Sequence, residues 1–362
     1  MTPAQVQRKY AWPDILRQLI HGDDIGRSGA AWAMGEIMSG QTSPATLGAF
    51  LVGLATKGES VGELRGLADT MLAFAEQADI SGPCVDIVGT GGDRAHTVNI
   101  STMAAVTIAA CGIPVAKHGN RASSSSSGSA DVLEALGVRL DLSQAAVAQT
   151  FRECGITFFF ANVFHPSMRF AAPTRRELGV GTAFNVLGPL TNPARPKASA
   201  IGVASDRHAP LVAGVLADRG SSAVVFRGTN GLDELTTSAP NEIWWVCDGA
   251  IATTTCDLRD LGVPHSSIAD LRGGEAAHNA EVAERVLSGR DDSIISDTVA
   301  LNAAAGLLAF AGHPVADGPV AAEEFITALK PYYEQARRAL DEAKPAALLQ
   351  QWAEVTQRLA GV

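Results

Sequence analysis

The sequence predicts an α/β fold: an N-terminal helical domain followed by a larger domain with a mostly parallel central sheet. Two patterns support this prediction. Up to about residue 80, apolar residues recur at the spacing of one helix face. From Cys84 onward, short apolar runs alternate with helical stretches, which is typical of a parallel sheet covered by helices. We therefore expect a helical domain over 1–80, with the segment 173–198 packed on it, and an α/β domain over 81–362.

Several helix signals occur before residue 80. Apolar residues at i, i+4, i+7 and i+8 between Ala30 and Met38 form one face of a helix. Ser43-Pro44 supplies an N-cap and a proline at the first helical position of the next helix. Ser60–Glu63 has the spacing of a capping box. These helices expose more apolar surface than they can cover alone, so they should pack on the rest of the chain or on a second subunit.

The alternating region contains short apolar runs that predict strands. We expect five strands in the parallel part, at Cys84–Val88, Ile113–Ala116, Ile156–Phe160, Ala200–Val203 and Ala223–Phe226. Helices are predicted at Ser101–Cys111, at Ala130–Leu136 and again from Asn279. Glu242–Val246 and Ile251–Thr255, joined around Asp248-Gly249, predict a hairpin at the edge of the sheet. The uncharged stretch Thr97–Ala116 fits a buried helix followed by a strand better than a membrane span.

Charge and cysteine usage restrict the function classes. The formal net charge is −10, from 28 basic and 38 acidic residues, which argues against a nucleic-acid partner. An anionic substrate would have to be met by local cations, backbone N–H groups or metal. The five cysteines form no CxxC pair, which indicates reduced thiols in a cytoplasmic protein without a membrane partner, although Cys247 and Cys256 could pair across neighbouring strands.

A glycine-rich turn, Gly89-Thr90-Gly91-Gly92-Asp93, follows the strand Cys84–Val88. Its glycines allow the backbone to approach a phosphate closely, but a tight turn without a ligand explains it equally well. Asn99–Thr102 lies where the next helix begins, and its polar side chains could cap that helix or bind an anion. Lys117–Arg121, together with the serine-rich run Ser123–Ser129, follows the second strand and predicts another anion-binding loop rather than a linker.

Two further pairs of charged residues could complete a site. Asp233-Glu234, in a loop beyond a strand, suit magnesium, which prefers a few carboxylates plus substrate oxygens and water; a solvated turn is the alternative. Arg175-Arg176 could pair with a substrate carboxylate or lie on a solvated helix face. His165, just upstream, could equally be structural.

Taken together and in order, these segments resemble the anthranilate phosphoribosyltransferases of tryptophan biosynthesis. The matching motifs are Asp86–Asp93, Asn99–Thr102, Lys117–Ser125, Gly128–Gly137, Phe184–Pro193 and Gly231–Leu235. The resemblance implies a fold like that of nucleoside phosphorylases and phosphoribosyltransferases, and a homodimer formed through the N-terminal helices. It implies transfer of the phosphoribosyl group of phosphoribosyl pyrophosphate to the amine of anthranilate, with magnesium, expected as two ions, as cofactor.

The resemblance also implies residue roles. Those for phosphoribosyl pyrophosphate are Gly89, Gly92, Asp93, Thr97, Asn99, Ile100, Ser101, Thr102, Lys117, His118, Gly119, Asn120, Arg121, Ala122, Ser123, Ser124, Ser125 and Ser129. Magnesium would be held by Ser101, Asp233 and Glu234, and catalysis would rest on Lys117, Asp233 and Glu234. The anthranilate contacts would be Gly89, Asn120 and Arg175, with His118, His165 and Gly188 along its path.

One position departs from the family pattern. Gly181 stands where many members carry an arginine, so this position receives no role. Two other functions stay open on the residues alone, a nucleoside phosphorylase of the same architecture and a noncatalytic relative that binds nucleic acid. The Asp233-Glu234 pair and Arg175 favour the transferase, and the negative net charge counts against the second alternative.

Overall fold

The computed structural model describes residues 10–122 and 126–361, so Ser123, Ser124 and Ser125, assigned above to phosphoribosyl pyrophosphate, lie outside the described residues. Over the described part, the chain begins with helices α1 (Trp12–His21), α2 (Gly26–Met38), α3 (Pro44–Lys57) and α4 (Val61–Ala73). Both predicted caps are confirmed. Ser43 accepts a hydrogen bond from the Thr46 N–H, and Ser60 with Glu63 forms a complete capping box.

The central sheet contains eight strands within the described residues, in the order β3-β2-β1-β4-β5-β6-β7-β8. Their bounds are β1 Val85–Gly89, β2 Val115–Gly119, β3 Ile156–Phe160, β4 Ala198–Gly202, β5 Ser222–Gly228, β6 Asn241–Cys247, β7 Ala250–Cys256 and β8 Gly318–Pro319. Strands β3, β2, β1, β4 and β5 are parallel, which confirms the predicted fold class.

Two strand predictions are corrected. The hairpin β6–β7 is present, but it is not the edge of the sheet, because β8 pairs in parallel outside β7. The sequence predicts a second strand that ends at Ala116, with Lys117 and His118 in the loop beyond it. The backbone instead stays paired with β3 as far as Gly119, so both side chains project from strand β2 itself.

The remaining helices cover the sheet. They are α5 Ile100–Ala110, α6 Ser129–Ala135, α7 Gln144–Cys154, α8 Ala161–Phe164, α9 Ala172–Leu178, α10 Phe184–Leu190, α11 Ala209–Asp218, α12 Ala276–Leu287, α13 Ile294–Ala311, α14 Ala322–Asp341 and α15 Lys344–Leu359. Short 3₁₀ turns lie at Pro166–Phe170, Leu258–Leu261 and Ala269–Leu271. The uncharged stretch 97–116 therefore contains a buried helix and the start of a strand, as predicted.

Two large hydrophobic clusters lie in this fold. In the first, α5 and α12–α15 pack against the sheet. In the second, α1–α4, the segment 183–190 and α11 pack together with residues of β4, β5 and β6. Helix α13 is long and apolar enough to cross a membrane, but 78% of its apolar window is buried inside the first cluster, which accounts for its composition.

The cysteine prediction is also settled by the sheet register. All five cysteines are free. Cys247 lies opposite Ala250, whereas Cys256 lies opposite Asn241, so the two cysteines occupy opposite ends of the hairpin and cannot pair.

Candidate active site

A cavity of about 690 Å³ opens at the carboxyl ends of β1 and β2, where parallel sheets place their ligands. It gathers every predicted site residue that the structure describes. These are Gly89, Gly92, Asp93, Thr97, Asn99, Ile100, Ser101, Thr102, Lys117, His118, Gly119, Asn120, Arg121, Ala122, Ser129, His165, Arg175, Gly188, Asp233 and Glu234. Segments far apart in sequence therefore meet around one space.

The glycine-rich turn has the backbone shape that its composition predicts. Gly91 and Gly92 have φ values of 67° and 88°, in the left-handed region that favours glycine. The Gly91 N–H donates to the Asp233 carboxylate at 2.6 Å. A Cβ on Gly89 would collide with the same carboxylate. The turn is glycine-rich partly because it is packed directly against the acidic loop.

The acidic loop is buried, which excludes its interpretation as a solvated turn. Asp233 and Glu234 are 7% and 8% exposed. Asn302 of α13 holds the loop, because its side chain accepts from the Leu235 N–H at 3.1 Å and donates to the Leu235 carbonyl at 2.9 Å. Burial, and next the charge of Asp93, raise the pKa of Asp233 to about 7. Burial and the charges of Asp233 and Asp93 raise the pKa of Glu234 well above its usual range.

These carboxylates fit a hard cation. The Oδ2 atom of Asp93 is buried and has no hydrogen-bond partner among the described residues. In the same part of the chain, no group of three or more His, Cys, Asp or Glu side chains forms a complete metal cage. Magnesium characteristically binds one or two carboxylates and takes its other ligands from phosphate and water. The donor set therefore suits magnesium that arrives with a phosphorylated substrate.

Lys117 is a buried cation at the floor of the cavity. Its Nζ donates to the Ile87 carbonyl at 2.6 Å and to the Ser101 hydroxyl at 3.3 Å. Burial lowers the pKa of Lys117 to about 8, although the charges of Asp86 and Glu234 oppose that shift. A buried charge without a partner is unfavourable, so the charged form of Lys117 is favoured when an anion lies beside it.

Asp86 received no role from the sequence, but its buried carboxylate stabilises the backbone next to Lys117. Asp86 is 1% exposed, and burial raises its pKa to about 6. Its carboxylate accepts from the His118 N–H at 3.1 Å and from Asn192 Nδ2 at 2.8 Å. An aspartate inside the apolar strand β1 was the available signal, since a buried charge requires a partner.

The serine-rich loop is anchored at both of its ends, which argues against a free linker. Asp131 Oδ2 accepts from the Ala122 N–H at 3.0 Å and from the Gly128 N–H at 2.9 Å. The guanidinium of Arg121 pairs with Asp131 and with Glu134 of the same helix, α6. Arg121 therefore supports the loop in this structure, and it also lines the cavity.

A cation and two neutral imidazoles also line the cavity. Arg175 lies 4.8 Å above the Phe184 ring, and no ion pair engages it in the described part of the chain. Burial lowers the pKa of Arg175. His118 Nδ1 lies 3.1 Å from the Gly188 carbonyl, and His165 Nε2 lies 2.9 Å from the Thr191 carbonyl.

Burial lowers the pKa of His118 to about 3 and that of His165 to about 4. Both rings are therefore neutral at physiological pH, whereas Arg175 and the exposed Arg169 line the cavity as cations. Phe184, which supports the guanidinium, was part of a recognised motif but had received no role. Gly181 does not line the cavity, and no atom lies within 4 Å of a Cβ built on it.

Comparison with known proteins connects this site to a family. The glycosyl transferase family α/β domain matches residues 81–328, and the helical bundle domain of the same family matches residues 13–75. An anthranilate phosphoribosyltransferase from an Arthrobacter species is 53% identical over 95% of this chain and 96% of its own length. The chain belongs to the anthranilate phosphoribosyltransferase family. The family resemblance found in the sequence is thereby confirmed, and the chain is an enzyme of the phosphoribosyltransferase class.

Other relatives agree. The anthranilate phosphoribosyltransferase of a Nocardioides species is 51% identical over 96% of this chain and 99% of its own. The crystal structure of the anthranilate phosphoribosyltransferase from Thermus thermophilus superposes with a TM-score of 0.86 at 37% identity, covering 95% of this chain and 99% of that one. The enzyme from Saccharomyces cerevisiae, solved with phosphoribosyl pyrophosphate and magnesium, shares the fold with a TM-score of 0.84 at 24% identity and 99% coverage of both chains.

Proposed function

We propose that this enzyme transfers the phosphoribosyl group of 5-phospho-α-D-ribose 1-diphosphate to the amine of anthranilate, giving N-(5-phosphoribosyl)anthranilate and pyrophosphate for tryptophan biosynthesis. The observation that carries this proposal is the presence of two kinds of group in one cavity. A glycine turn, a buried lysine and paired carboxylates suit a metal-bound pyrophosphate. Arg175, which has no ion-pair partner among the described residues, suits a carboxylate.

The donor is proposed to bind between the glycine turn, the start of α5 and the serine-rich loop. Backbone N–H groups at Gly92 and at Ser101 in the first turn of α5 can meet phosphate oxygens, and Lys117 supplies a buried positive charge. The full proposed contact set is Gly89, Gly92, Asp93, Thr97, Asn99, Ile100, Ser101, Thr102, Lys117, His118, Gly119, Asn120, Arg121, Ala122, Ser123, Ser124, Ser125 and Ser129.

Ser101, Asp233 and Glu234 are the residues proposed to hold magnesium, with two ions per site. The raised pKa values of the two carboxylates and the buried, unpartnered Asp93 oxygen support a cation here. When bound, magnesium would supply positive charge to the departing pyrophosphate. The protein contributes a fixed carboxylate pair, because Asn302 clamps the loop that carries it.

The acceptor is proposed to bind against Gly89, Asn120 and Arg175, with Gly188 beside them. Arg175 would pair with the anthranilate carboxylate through two hydrogen bonds. Because the Gly188 carbonyl can only accept, His118 carries its proton on Nδ1 and presents an unprotonated Nε2. That Nε2 is buried without a partner among the described residues, so it can accept an N–H of the arylamine and orient its lone pair. His165 would line the same cavity.

The chemistry needs no general base before attack. The bond from ribose C1 to the pyrophosphate oxygen breaks with its electrons passing to oxygen, and the neutral amine forms the new bond to C1. The resulting N–H proton is lost to solvent afterwards. Lys117 and the N–H groups of the turn stabilise the charge that develops on the leaving group. Positioning of the two substrates in one cavity supplies the rest of the acceleration.

The direct test is an assay of the purified protein with magnesium, phosphoribosyl pyrophosphate and anthranilate. The fluorescence of anthranilate should be consumed, and pyrophosphate should appear in equal amount. A parallel incubation with thymidine and phosphate distinguishes the transferase from a nucleoside phosphorylase. Thymidine phosphorolysis without loss of anthranilate fluorescence would overturn the proposal.

Three properties of the whole chain belong to the same proposal. The chain divides near residue 80 into a helical and an α/β domain, in keeping with the two family matches over 13–75 and 81–328. The segment 173–198 packs on the helices, which is supported by the presence of residues 183–190 in the second hydrophobic cluster. The enzyme forms a homodimer through its N-terminal helices, where Ile20 and Val52 are 81% and 43% exposed. It works in the cytoplasm, in keeping with five free cysteines.

A further inference from the structure

A segment outside the recognised motifs is packed along the backbone that leads into helix α5. The Gly273 N–H donates to the His96 carbonyl at 2.8 Å, and the Val98 N–H donates to the Leu271 carbonyl at 2.9 Å. A Cβ on Gly273 would lie only 2.8 Å from the Thr97 carbonyl oxygen. The close approach therefore requires glycine, and it places the segment 271–279 directly behind the residues proposed to bind the phosphoribosyl donor.

Asn279 connects this segment to the site. It is 2% exposed, on helix α12, and its Oδ1 accepts from the Gly274 N–H at 2.8 Å. Its Nδ2 donates to Asn99 Oδ1 at 2.9 Å. A backbone N–H can only donate, so the Asn279 oxygen must face Gly274 and its NH₂ group must face Asn99. The backbone thus fixes which way the Asn279 amide points.

The orientation of Asn99 follows from that of Asn279. Asn99 must present its oxygen to the Asn279 donor, so its own NH₂ group faces the other way. One N–H donates to the Ser127 carbonyl at 3.2 Å, at the end of the serine-rich loop. An amide nitrogen carries two N–H groups. The second has no partner among the described residues, and Asn99 lines the cavity.

We propose that Asn279 is a positioning residue for the donor site. It holds the Asn99 amide so that N–H donors, and not the carbonyl oxygen, face the loop and the oxygens of phosphoribosyl pyrophosphate. This inference rests on the proposed function, in which Asn99 contacts that donor. It adds a residue that lies outside both the cavity lining and the recognised motifs.

The change Asn279→Asp separates orientation from packing, because it keeps the size of the side chain. One carboxylate oxygen still accepts from the Gly274 N–H. The other now faces the Asn99 oxygen, and two acceptors repel. The Asn99 amide relieves this by turning over, which directs its oxygen at the Ser127 carbonyl and at the substrate. We therefore expect weaker donor binding with the fold retained.

The experiment is a double-mutant cycle in the full-length enzyme, with steady-state kinetics for both substrates. Asn279→Asp should raise the KM for phosphoribosyl pyrophosphate by about tenfold and leave the KM for anthranilate nearly unchanged. In an Asn99→Ala background, where the amide is absent, the same change should have no further effect. His278→Asn, on the exposed neighbour of Asn279, is the matched control and should leave both KM values unchanged.

Two kinds of result would overturn the inference. If Asn279→Asp leaves the donor KM unchanged, or if its effect simply multiplies that of Asn99→Ala, then Asn279 does not act through Asn99, while the proposed function stands. If Asn99→Ala alone has no effect on the donor KM, both the proposed role of Asn99 and this inference fail. Should Asn279→Asp not fold, Asn279→Ser removes the bond to Asn99 without adding charge. It should raise the donor KM about threefold, again only when Asn99 is present.

Discussion

Two adjacent arginines differ in what surrounds them. Arg175 is half-buried over Phe184 in the cavity, whereas Arg176 is exposed. We predict that Arg175→Ala raises the KM for anthranilate by about tenfold or more, because a carboxylate loses a charged, bidentate partner, and changes the KM for the donor little. Steady-state kinetics with each substrate varied in turn measures this. Arg176→Ala is the control, and an equal rise in both KM values for Arg175→Ala would contradict its assignment.

The paired carboxylates give a second prediction at single residues. The double variant Asp233→Asn with Glu234→Gln keeps the shape of the loop but removes its charge, so turnover should fall by about 100-fold. Its rate should also lose its dependence on magnesium concentration. Counting bound Mn²⁺ in the presence of phosphoribosyl pyrophosphate should give two ions for the native chain and fewer for the variant. Asp260→Asn, on the surface, is the control; an unchanged magnesium response in the double variant would reject the metal assignment.

The sequence allowed us to predict which residues form the site, but not which residues pack around them. It found both arginines and both carboxylates, but their burial depends on tertiary packing that no local pattern encodes. Asp86 and Asn302 were missed as supporting residues for the same reason, since each acts on a segment distant in sequence. Asp86 carried a usable signal as a charge in an apolar strand, whereas Asn302 in an apolar helix could have been a packing residue.

Among the structural elements, the end of strand β4 is as constrained as the glycine turn. A Cβ on Gly202 would collide with the carbonyl oxygen of Asp233, so the acidic loop crosses this glycine directly. We predict that Gly202→Ala displaces the loop and lowers kcat by about tenfold or more with little loss of fold, because small misplacements of catalytic groups cost large factors. Circular dichroism and a kcat measurement test this together.

The control for that prediction is Gly35→Ala in helix α2, where no atom lies within 4 Å of the added Cβ. Alanine at an open helical position should stabilise the chain slightly and leave kcat unchanged. If Gly202→Ala retains the native kcat, the position of the acidic loop does not depend on this contact.

Some strands could be predicted from their hydrophobic pattern, and others could not. Short, mainly apolar runs predict strands at or close to their observed bounds, as at Ile156–Phe160. Strand β8, only Gly318–Pro319, has no apolar run, so the hairpin looked like the edge of the sheet. Strand β2 extends through Lys117 and His118 because both side chains are buried in the site, where function overrides the usual preference for apolar strand residues.

For the molecule as a whole, the exposed apolar residues of the first helices predict its assembly. Ile20 on α1 and Val52 on α3 are exposed on two helices that pack together. We predict that Ile20→Glu with Val52→Glu converts the proposed dimer into a monomer, because two buried charges would be introduced at the interface. Light scattering after size-exclusion chromatography measures the mass. A native monomer, or a dimer unaffected by both changes, would place the interface elsewhere or remove it.

The buried histidines link the site to the stability of the whole chain. Burial lowers the pKa of His165 to about 4, so the unfolded chain takes up a proton near the usual histidine value that the folded chain resists. As the pH falls from the pKa of histidine in the unfolded chain toward about 4, His165 therefore lowers the free energy of unfolding. Asp86 acts in the opposite direction, because its pKa is raised, so the total pH dependence is a balance. The contribution of His165 is isolated by comparing the native chain with His165→Asn.

We predict that lowering the pH from about 8 to about 5 destabilises the native chain by about 2 kcal/mol more than it destabilises His165→Asn. Urea denaturation at several pH values measures the difference, in which the contribution of Asp86 cancels. The exposed His278→Asn variant is the matched control. A difference that stays constant over this range would mean that the folded chain accepts a proton at His165, which would then add a positive charge to those of Arg169 and Arg175 in the cavity.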